Sequence, residues 1–387
     1  MRVLHSIVLD GWSAGSWYAV NVACHLDRLG HENLLICRPG CRTQREAAQV
    51  GLRFHDRINL EAKNPLRMVT NLSALRRILA AWKPDIVCAH WGEDHSYWGV
   101  LKLLYHDGVP LVRVRSLDPK PPKAHVLSRW LHKKQTKLVV VSNAYLRRCY
   151  LELFDLPEES VKIVPAGLDI AGFADPSPST GGASGFKAGN PTVGLVARFS
   201  PVKGHSVFFR AARLVAEKLP EVRFVLAGFE SELKTKDLME MARKAGVDRQ
   251  IEIIDRRTGS PAAIIARFDV GVVSSVYSES VSRVLLEYLA TGVPVVAANV
   301  GGIPDLLSAG EFGILVPPGS AEELAAGIVE LLRDHERRRR LGCGGREFIR
   351  THRTWEESAR NFAAALSQAV KSGSASGSVL QGQRSSS

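Results

Sequence analysis

Short runs of Val, Ile and Leu recur along this chain, separated by longer segments of helical period, and that alternation restricts the fold more than any other feature. In the first half the runs fall at 3–9, 33–37, 85–89, 111–114, 138–141 and 161–164. They are apolar at consecutive positions, as a strand covered on both faces of a sheet must be. Segments between them, such as 16–29 and 66–82, set apolar residues three and four apart with charges opposite, the pattern of crossover helices. The alternation restarts with runs at 192–197, 222–227, 251–254, 270–274, 293–297 and 313–316. Both halves therefore predict α/β architecture with parallel, doubly wound sheets.

The two halves meet at 174–190, where Asp175, Pro176, Pro178, Gly181, Gly182, Gly185 and Gly189 stand among serines with almost nothing to bury. The expected organisation is a first Rossmann-like domain over 1–174, a linker over 175–190 and a second Rossmann-like domain over 191–353. A helix over 354–370 returns to the first domain, and the Ser- and Gly-rich segment 371–387 is a disordered tail. Ligands of doubly wound sheets bind at the carboxyl ends of the strands, so two such domains are expected to face each other across a cleft that holds the active site.

A length of 387 residues suits two domains, and 45% hydrophobic with 23% charged residues excludes a disordered or collagen-like chain. No run of about 18 apolar residues is present, and the first strand begins with no charged leader, so the expectation is a cytoplasmic, unprocessed protein. Six scattered cysteines resemble reduced core thiols more than a disulfide framework. Cys37 and Cys41 lack the second pair that a zinc site needs. The formal net charge of +12 points to an anionic partner. Eleven Lys or Arg lie between Lys102 and Arg148 against only Asp107 and Asp118.

The densest chemical information lies between 278 and 307. Glu279 and Glu287 stand eight positions apart, and Val281, Val284, Leu285, Tyr288 and Leu289 form an i, i+3, i+4, i+7, i+8 stripe. The stripe predicts a helix beginning close to Ser280, with Glu279 in the loop before it. Glu287 then lies about 10 Å further along the axis, comparable with the span from a sugar to a ribose across a diphosphate. The helix N-terminus between the carboxylates offers free N–H groups to the phosphates. The alternative is a structural pair: an N-terminal Glu favouring the dipole and a buried, paired Glu.

This stretch, followed by Gly292-Val-Pro294 and Gly301-Gly302-Ile-Pro304-Asp305, resembles the Glu, seven residues, Glu pattern of the retaining glycosyltransferases of family 4, which have the GT-B architecture. The resemblance implies that Glu279 holds hydroxyls of the donor sugar, that Glu287 holds the ribose, and that Ser280, Val281 and Ser282 line the donor site. Upstream, Val193-Gly194-Leu-Val-Ala-Arg198-Phe-Ser-Pro-Val-Lys203-Gly204 is similar to the family's diphosphate loop, making Arg198 and Lys203 its two cations. Both follow a strand's carboxyl end, where fixed cations stabilise a departing diphosphate. Gly228 occupies the next such turn and lets the backbone approach the nucleotide. In the first half, Gly11 and Gly15 belong to a glycine-containing loop opening a helix, and His90 ends a strand where the family's histidine contacts the donor sugar.

Two departures stand out. The first loop lacks the family's paired glycines followed by an acidic residue, and Ser282 replaces a frequent Gly three residues after the first Glu. The resemblance implies a hexosyltransferase-like enzyme that moves a sugar from a nucleotide-diphosphate sugar to a glycan or lipid-linked acceptor, such as a lipopolysaccharide or other cell-envelope polysaccharide. No Asp-x-Asp pair is present to hold a cation, so no metal or other cofactor is expected beyond the donor as co-substrate. The basic stretch from Lys102 to Arg148 suggests peripheral contact with an anionic membrane at its inner face. Rival readings are a GT-B-related sugar-nucleotide epimerase or phosphorylase and a basic nucleic-acid-binding protein, the latter without a recognition motif, so no nucleic-acid partner is expected.

Overall fold

The apolar runs pair side by side as parallel strands in the computed structural model, which describes residues 1–9, 11–60, 64–105, 108–116, 124–173, 189–255, 260–277, 279 and 281–382, with side chains to 371. The first sheet holds β1 (Arg2–Ile7), β2 (Glu32–Cys37), β3 (Phe54–His55), β4 (Ile86–Ala89), β5 (Leu111–Arg115), β6 (Thr136–Val141) and β7 (Val161–Ile163) in the order β3-β2-β1-β4-β5-β6-β7. The second holds β8 (Thr192–Val196), β9 (Arg223–Gly228), β10 (Ile251–Asp255), β11 (Val270–Val273), β12 (Val295–Ala298) and β13 (Gly313–Val316) in the order β10-β9-β8-β11-β12-β13. The strands read from the sequence agree with these to within two residues at each end. Only β3 escaped, because two residues carry no periodicity.

The helices read as 16–29 and 66–82 are Ala14–Arg28 and Pro65–Trp82. Ser13 caps the first, its Oγ accepting from Ser16 N at 3.3 Å. Asn64 caps the second, with Pro65 supplying a preset φ at the first helical position. Each sheet reverses its strand order once, between β1 and β4 and between β8 and β11, and the carboxyl ends of those strands are where such sheets bind ligands.

The chain divides into two compact units, Met1–Gly167 together with the helix from Trp355, and Leu168–Thr354. The first boundary falls earlier than the expected 174, because Leu168 N donates to Arg353 O at 2.7 Å and ties its segment to the second unit. The linker reading at 175–190 lies almost wholly outside the described residues. The returning helix, Trp355–Gly382, is seated in the first unit: Trp355 is buried edge-on against Trp17 at 4.9 Å, and Ser358 Oγ donates to Pro165 O at 2.8 Å. Its backbone runs through much of the segment expected to be an unstructured tail, and 383–387 lie outside the described residues. All six cysteines are free thiols, and Cys41 caps a helix with its sulfur. No described helix is long and apolar enough to cross a membrane.

Candidate functional site

At the reversal point of the second sheet, the loop after β8 carries Arg198 and Lys203 and is bolted to the segment after β11. Gly204 adopts φ +71° and packs so closely that a Cβ there would lie 1.8 Å from Ser274 O. Ser274 Oγ donates to Lys203 O at 2.9 Å, and Val276 N donates to Val202 O at 3.0 Å. Only glycine tolerates both that φ and that approach.

Glu279 is brought to this loop from the other side. Its carboxylate, 6% exposed, forms an ion pair with Lys203 Nζ and accepts from Ser275 Oγ at 2.6 Å. Its backbone carbonyl accepts from Gly302 N at 2.7 Å. Gly301, at φ +56°, leaves room for that carbonyl, since a Cβ there would lie 2.0 Å from it. The helix begins at Arg283 and not close to Ser280 as the apolar stripe suggested, because Ser282 at φ −83°, ψ 86° is not helical. Leu285, Tyr288 and Leu289 of the stripe are buried as expected, while Val281 and Val284 are only partly covered.

Arg198, Lys203, Ser275, Glu279, Ser282 and Arg283 line one hollow of about 170 Å³, with Val281 also in its wall. The Ser282 hydroxyl is buried there with no partner among the described residues. Glu287 is absent from the lining. It is fully buried, and its Oε1 accepts from Arg283 Nε at 2.9 Å, so Arg283 stands between it and the hollow. The space that Gly228 leaves is filled by protein: a Cβ there would meet Ala197 O at 1.9 Å, so this glycine admits the loop that carries Arg198 and its room is not left for a nucleotide. Ser280 lies outside the described residues.

At the reversal point of the first sheet, Gly11 follows β1 in the open, its carbonyl accepting from Ser16 Oγ at 3.1 Å, and Gly15 is buried in the first helical turn. His90 follows β4, 3% exposed, its N–H donating to Ser6 O at 2.9 Å. Beside it Asp94 accepts from Trp91 N at 2.8 Å, His95 N at 3.0 Å and Ser6 Oγ at 2.9 Å, which makes it a helix cap. Arg113, counted above among the basic residues of a surface stretch, is buried and donates to Ala89 O and Val114 O.

Two family models match the chain in succession: Glycosyltransferase Family 4 over residues 15–171 and Glycosyl transferases group 1 over residues 181–348. The chain belongs to glycosyltransferase family 4. Among its relatives, the D-inositol 3-phosphate glycosyltransferase of Corynebacterium aurimucosum is 27% identical over 84% of this chain and 84% of its own. That of Corynebacterium glutamicum is 28% identical over 59% of this chain, which spans 56% of its length. The GDP-mannose-dependent alpha-(1-6)-phosphatidylinositol monomannoside mannosyltransferase of Mycobacterium tuberculosis is 27% identical over 59% of this chain and 61% of its own. The fold is shared with the glycosyltransferase of Rickettsia africae, with TM-score 0.83, 17% identity and coverage of 96% and 98%. It is shared too with Anabaena HepE in complex with UDP-glucose, with TM-score 0.76, 19% identity and coverage of 95% and 100%. The glycosyltransferase thus has the GT-B fold of two parallel-sheet α/β domains.

Sequence reasoning missed Ser275 in this glycosyltransferase, although Ser274-Ser275 directly after an apolar strand run marks a ligand-edge position, and it quoted Gly204 and Gly301 within motifs without giving them a role. The buried histidines carry a pH consequence. Burial holds His5, His132 and His205 down at about 4, and His90 and His95 well below 6.5. Folded pKa values below the unfolded 6.5 mean that the unfolded chain binds more protons, so stability is full above about 6.5 and is lost as pH falls toward 4, by up to about 1.4 kcal/mol per group per pH unit. Asp94, raised by burial to about 7, opposes this as a single group, since its folded form binds the extra proton between about 4 and 7. The expected outcome is a Tm that drops steeply between pH 6.5 and 4.5; a flat profile over that range would show the histidines to be solvated.

Proposed function

We propose that the enzyme moves a sugar from a nucleoside-diphosphate sugar to a hydroxyl of an anionic glycan or glycolipid acceptor, with retention of the anomeric configuration and in the cytoplasm. The observation that carries this reading is the Lys203–Glu279 pair in one hollow with Arg198, at the carboxyl ends of β8 and β11. A volume of about 170 Å³ is below the ~300–1,000 Å³ of pockets that take a whole drug-sized ligand, so the hollow receives one part of the donor, its diphosphate. Arg198, Lys203, the Ser282 hydroxyl and the N-terminus of the helix Arg283–Thr291 then meet the phosphates and stabilise the charge that grows on them as the glycosidic bond breaks. Glu279 takes the sugar hydroxyls. The ribose reaches Glu287 once the half-exposed Arg283 turns outward. His90 contacts the donor sugar.

The cations of the chain balance the diphosphate, so turnover needs no added metal and persists in EDTA. A screen of UDP-, GDP- and ADP-sugars by thermal shift identifies the donor, because a ligand at a hundred times its Kd stabilises the folded state by ~2.7 kcal/mol. No shift with any of them, together with no sugar transfer, overturns the reading. Transfer without epimer or sugar-phosphate formation separates it from an epimerase or phosphorylase. Relatives named for inositol 3-phosphate and for a phosphatidylinositol monomannoside have anionic partners, in keeping with the net charge of +12.

A membrane-borne acceptor is favoured by one further observation. Val126 and Leu127 are 85% and 62% exposed beside the exposed Arg129, Lys133 and Lys134, and Leu103 and Leu104 are exposed near Lys102. Apolar side chains rimmed by basic ones suit the interface of an anionic leaflet. Vesicles containing phosphatidylglycerol are expected to sediment the enzyme and neutral vesicles to leave it in solution; equal recovery from both ends the membrane reading.

A further inference from the structure

Behind His90 runs a line of polar groups that the family resemblance did not touch, with His5 and Asn33 buried and Asp27 exposed at its far end. Asn33 Nδ2 donates to Asp27 Oδ1 at 2.7 Å and to His31 O at 3.2 Å, so both of its amide protons meet acceptors. The Asn33 backbone N–H also donates to Asp27 Oδ1, at 3.1 Å. That fixes the amide: Asn33 Oδ1 points the other way, 3.1 Å from His5 Nε2, and an oxygen there requires His5 to carry its proton on Nε2. His5 is fully buried and stays neutral, its pKa held down at about 4 by burial, so its Nδ1 is a bare lone pair. His90 Nε2 lies 3.0 Å from that lone pair and can bond to it only as a donor. His90 therefore keeps its own lone pair on Nδ1, a buried atom with no partner among the described residues.

An unpaired buried acceptor in a native protein calls for an explanation, since nearly all such groups are satisfied. We infer that Asp27, Asn33 and His5 form a positioning relay that holds His90 as its Nε2–H tautomer, so that Nδ1 is a hydrogen-bond acceptor reserved for a hydroxyl of the substrate. The inference rests on the reading of His90 as a residue that faces the sugar. It also restricts what His90 does: a ring locked this way accepts a proton-bearing group, cannot donate to a phosphate oxygen through Nδ1, and is not a general acid. Each link is a neutral or carboxylate partner whose role is dictated by the next, so the direction set at Asp27 is transmitted along the whole line.

Two-bond 1H–15N correlation spectra of the full-length protein with 15N-labelled histidine read the tautomers directly. The expected spectrum has the Nε2–H form at both His5 and His90. His5→Phe removes the acceptor and is expected to mix the two tautomers at His90 and to lower kcat/KM about tenfold, the equivalent of one hydrogen bond, whereas His5→Gln, whose amide can bridge Asn33 and His90, recovers most of the loss. Asn33→Ala, which leaves His5 in place, is expected to mix the tautomers at His5 first and serves if His5→Phe does not fold. An Nδ1–H form at His90 in the wild type, or an unchanged His90 tautomer in His5→Phe and Asn33→Ala, overturns the relay whatever the activity. His90→Phe with undiminished transfer would instead remove His90 from the sugar, and with it the hydroxyl that Nδ1 is said to await, while the tautomer spectra would still report the relay.

Discussion

Lys203→Ala is expected to slow sugar transfer by about 10² or more, the scale of losing one preorganised group aimed at charge that develops in the transition state. Lys203 is suited to that part because its ammonium is already held, by Glu279 from one side of the hollow and by a backbone that Ser274 grips from the other. Preorganisation of this kind leaves little reorganisation for the moment when the diphosphate departs. Glu279→Gln preserves the shape and can still accept from Ser275, yet it removes the carboxylate, and the same order of loss is expected. Because the two side chains act as one unit, the double variant is expected to cost no more than the worse single one. Rates are read with saturating donor and acceptor, and thermal melting of each variant checks that the fold survives the loss of a partner from a largely buried pair. Near wild-type kcat in both single variants would take the pair out of the chemistry.

How far these residues were visible in advance depends on the range over which their causes act. The strands were legible because burial on both faces leaves its mark within five or six consecutive residues, and the helices because their stripes repeat every three or four. Glu279, Lys203, Arg198 and His90 were singled out through the motifs that surround them. What the sequence did not disclose was contact between distant segments. The approach of Gly204 to Ser274 and of Gly301 to Glu279 joins loops that follow different strands, that of Gly228 to Ala197 joins the end of β9 to the loop after β8, and nothing local distinguishes such a glycine from one that merely turns the chain. The helix start was misjudged for the same reason: the apolar stripe begins at Val281, but Ser282 is not helical, and the carbonyl of Glu279 is held by Gly302 N in the loop after β12. Counting charge misled in a similar way. Arg113 adds to the basic total between Lys102 and Arg148, yet it is spent inside the first domain on the carbonyls of Ala89 and Val114.

Those unseen contacts lead to the second large effect, at a residue without a side chain. Gly301→Ala is expected to lower kcat by about 10² even though no atom of the new methyl reaches the hollow, because a displacement of about 1 Å in a positioned group costs that much. The methyl would sit 2.0 Å from the carbonyl oxygen of Glu279, and backbone cannot yield as a flexible side chain would. Glu279 must therefore move, and its carboxylate leaves Lys203 and Ser275 together. Part of any loss could come from the φ of +56° alone, which costs an alanine about 1–2 kcal/mol wherever it occurs. Gly319→Ala separates the two causes: its φ is +81°, comparably unfavourable, and nothing lies within 4 Å of the added Cβ. The Gly319 variant is expected to melt a few degrees earlier and to transfer sugar at the normal rate, whereas the Gly301 variant loses rate beyond what its melting temperature explains. Equal rates in the two would mean that Glu279 is held in place by Ser275 and Lys203 alone, and that the glycine pair after β12 serves only the turn.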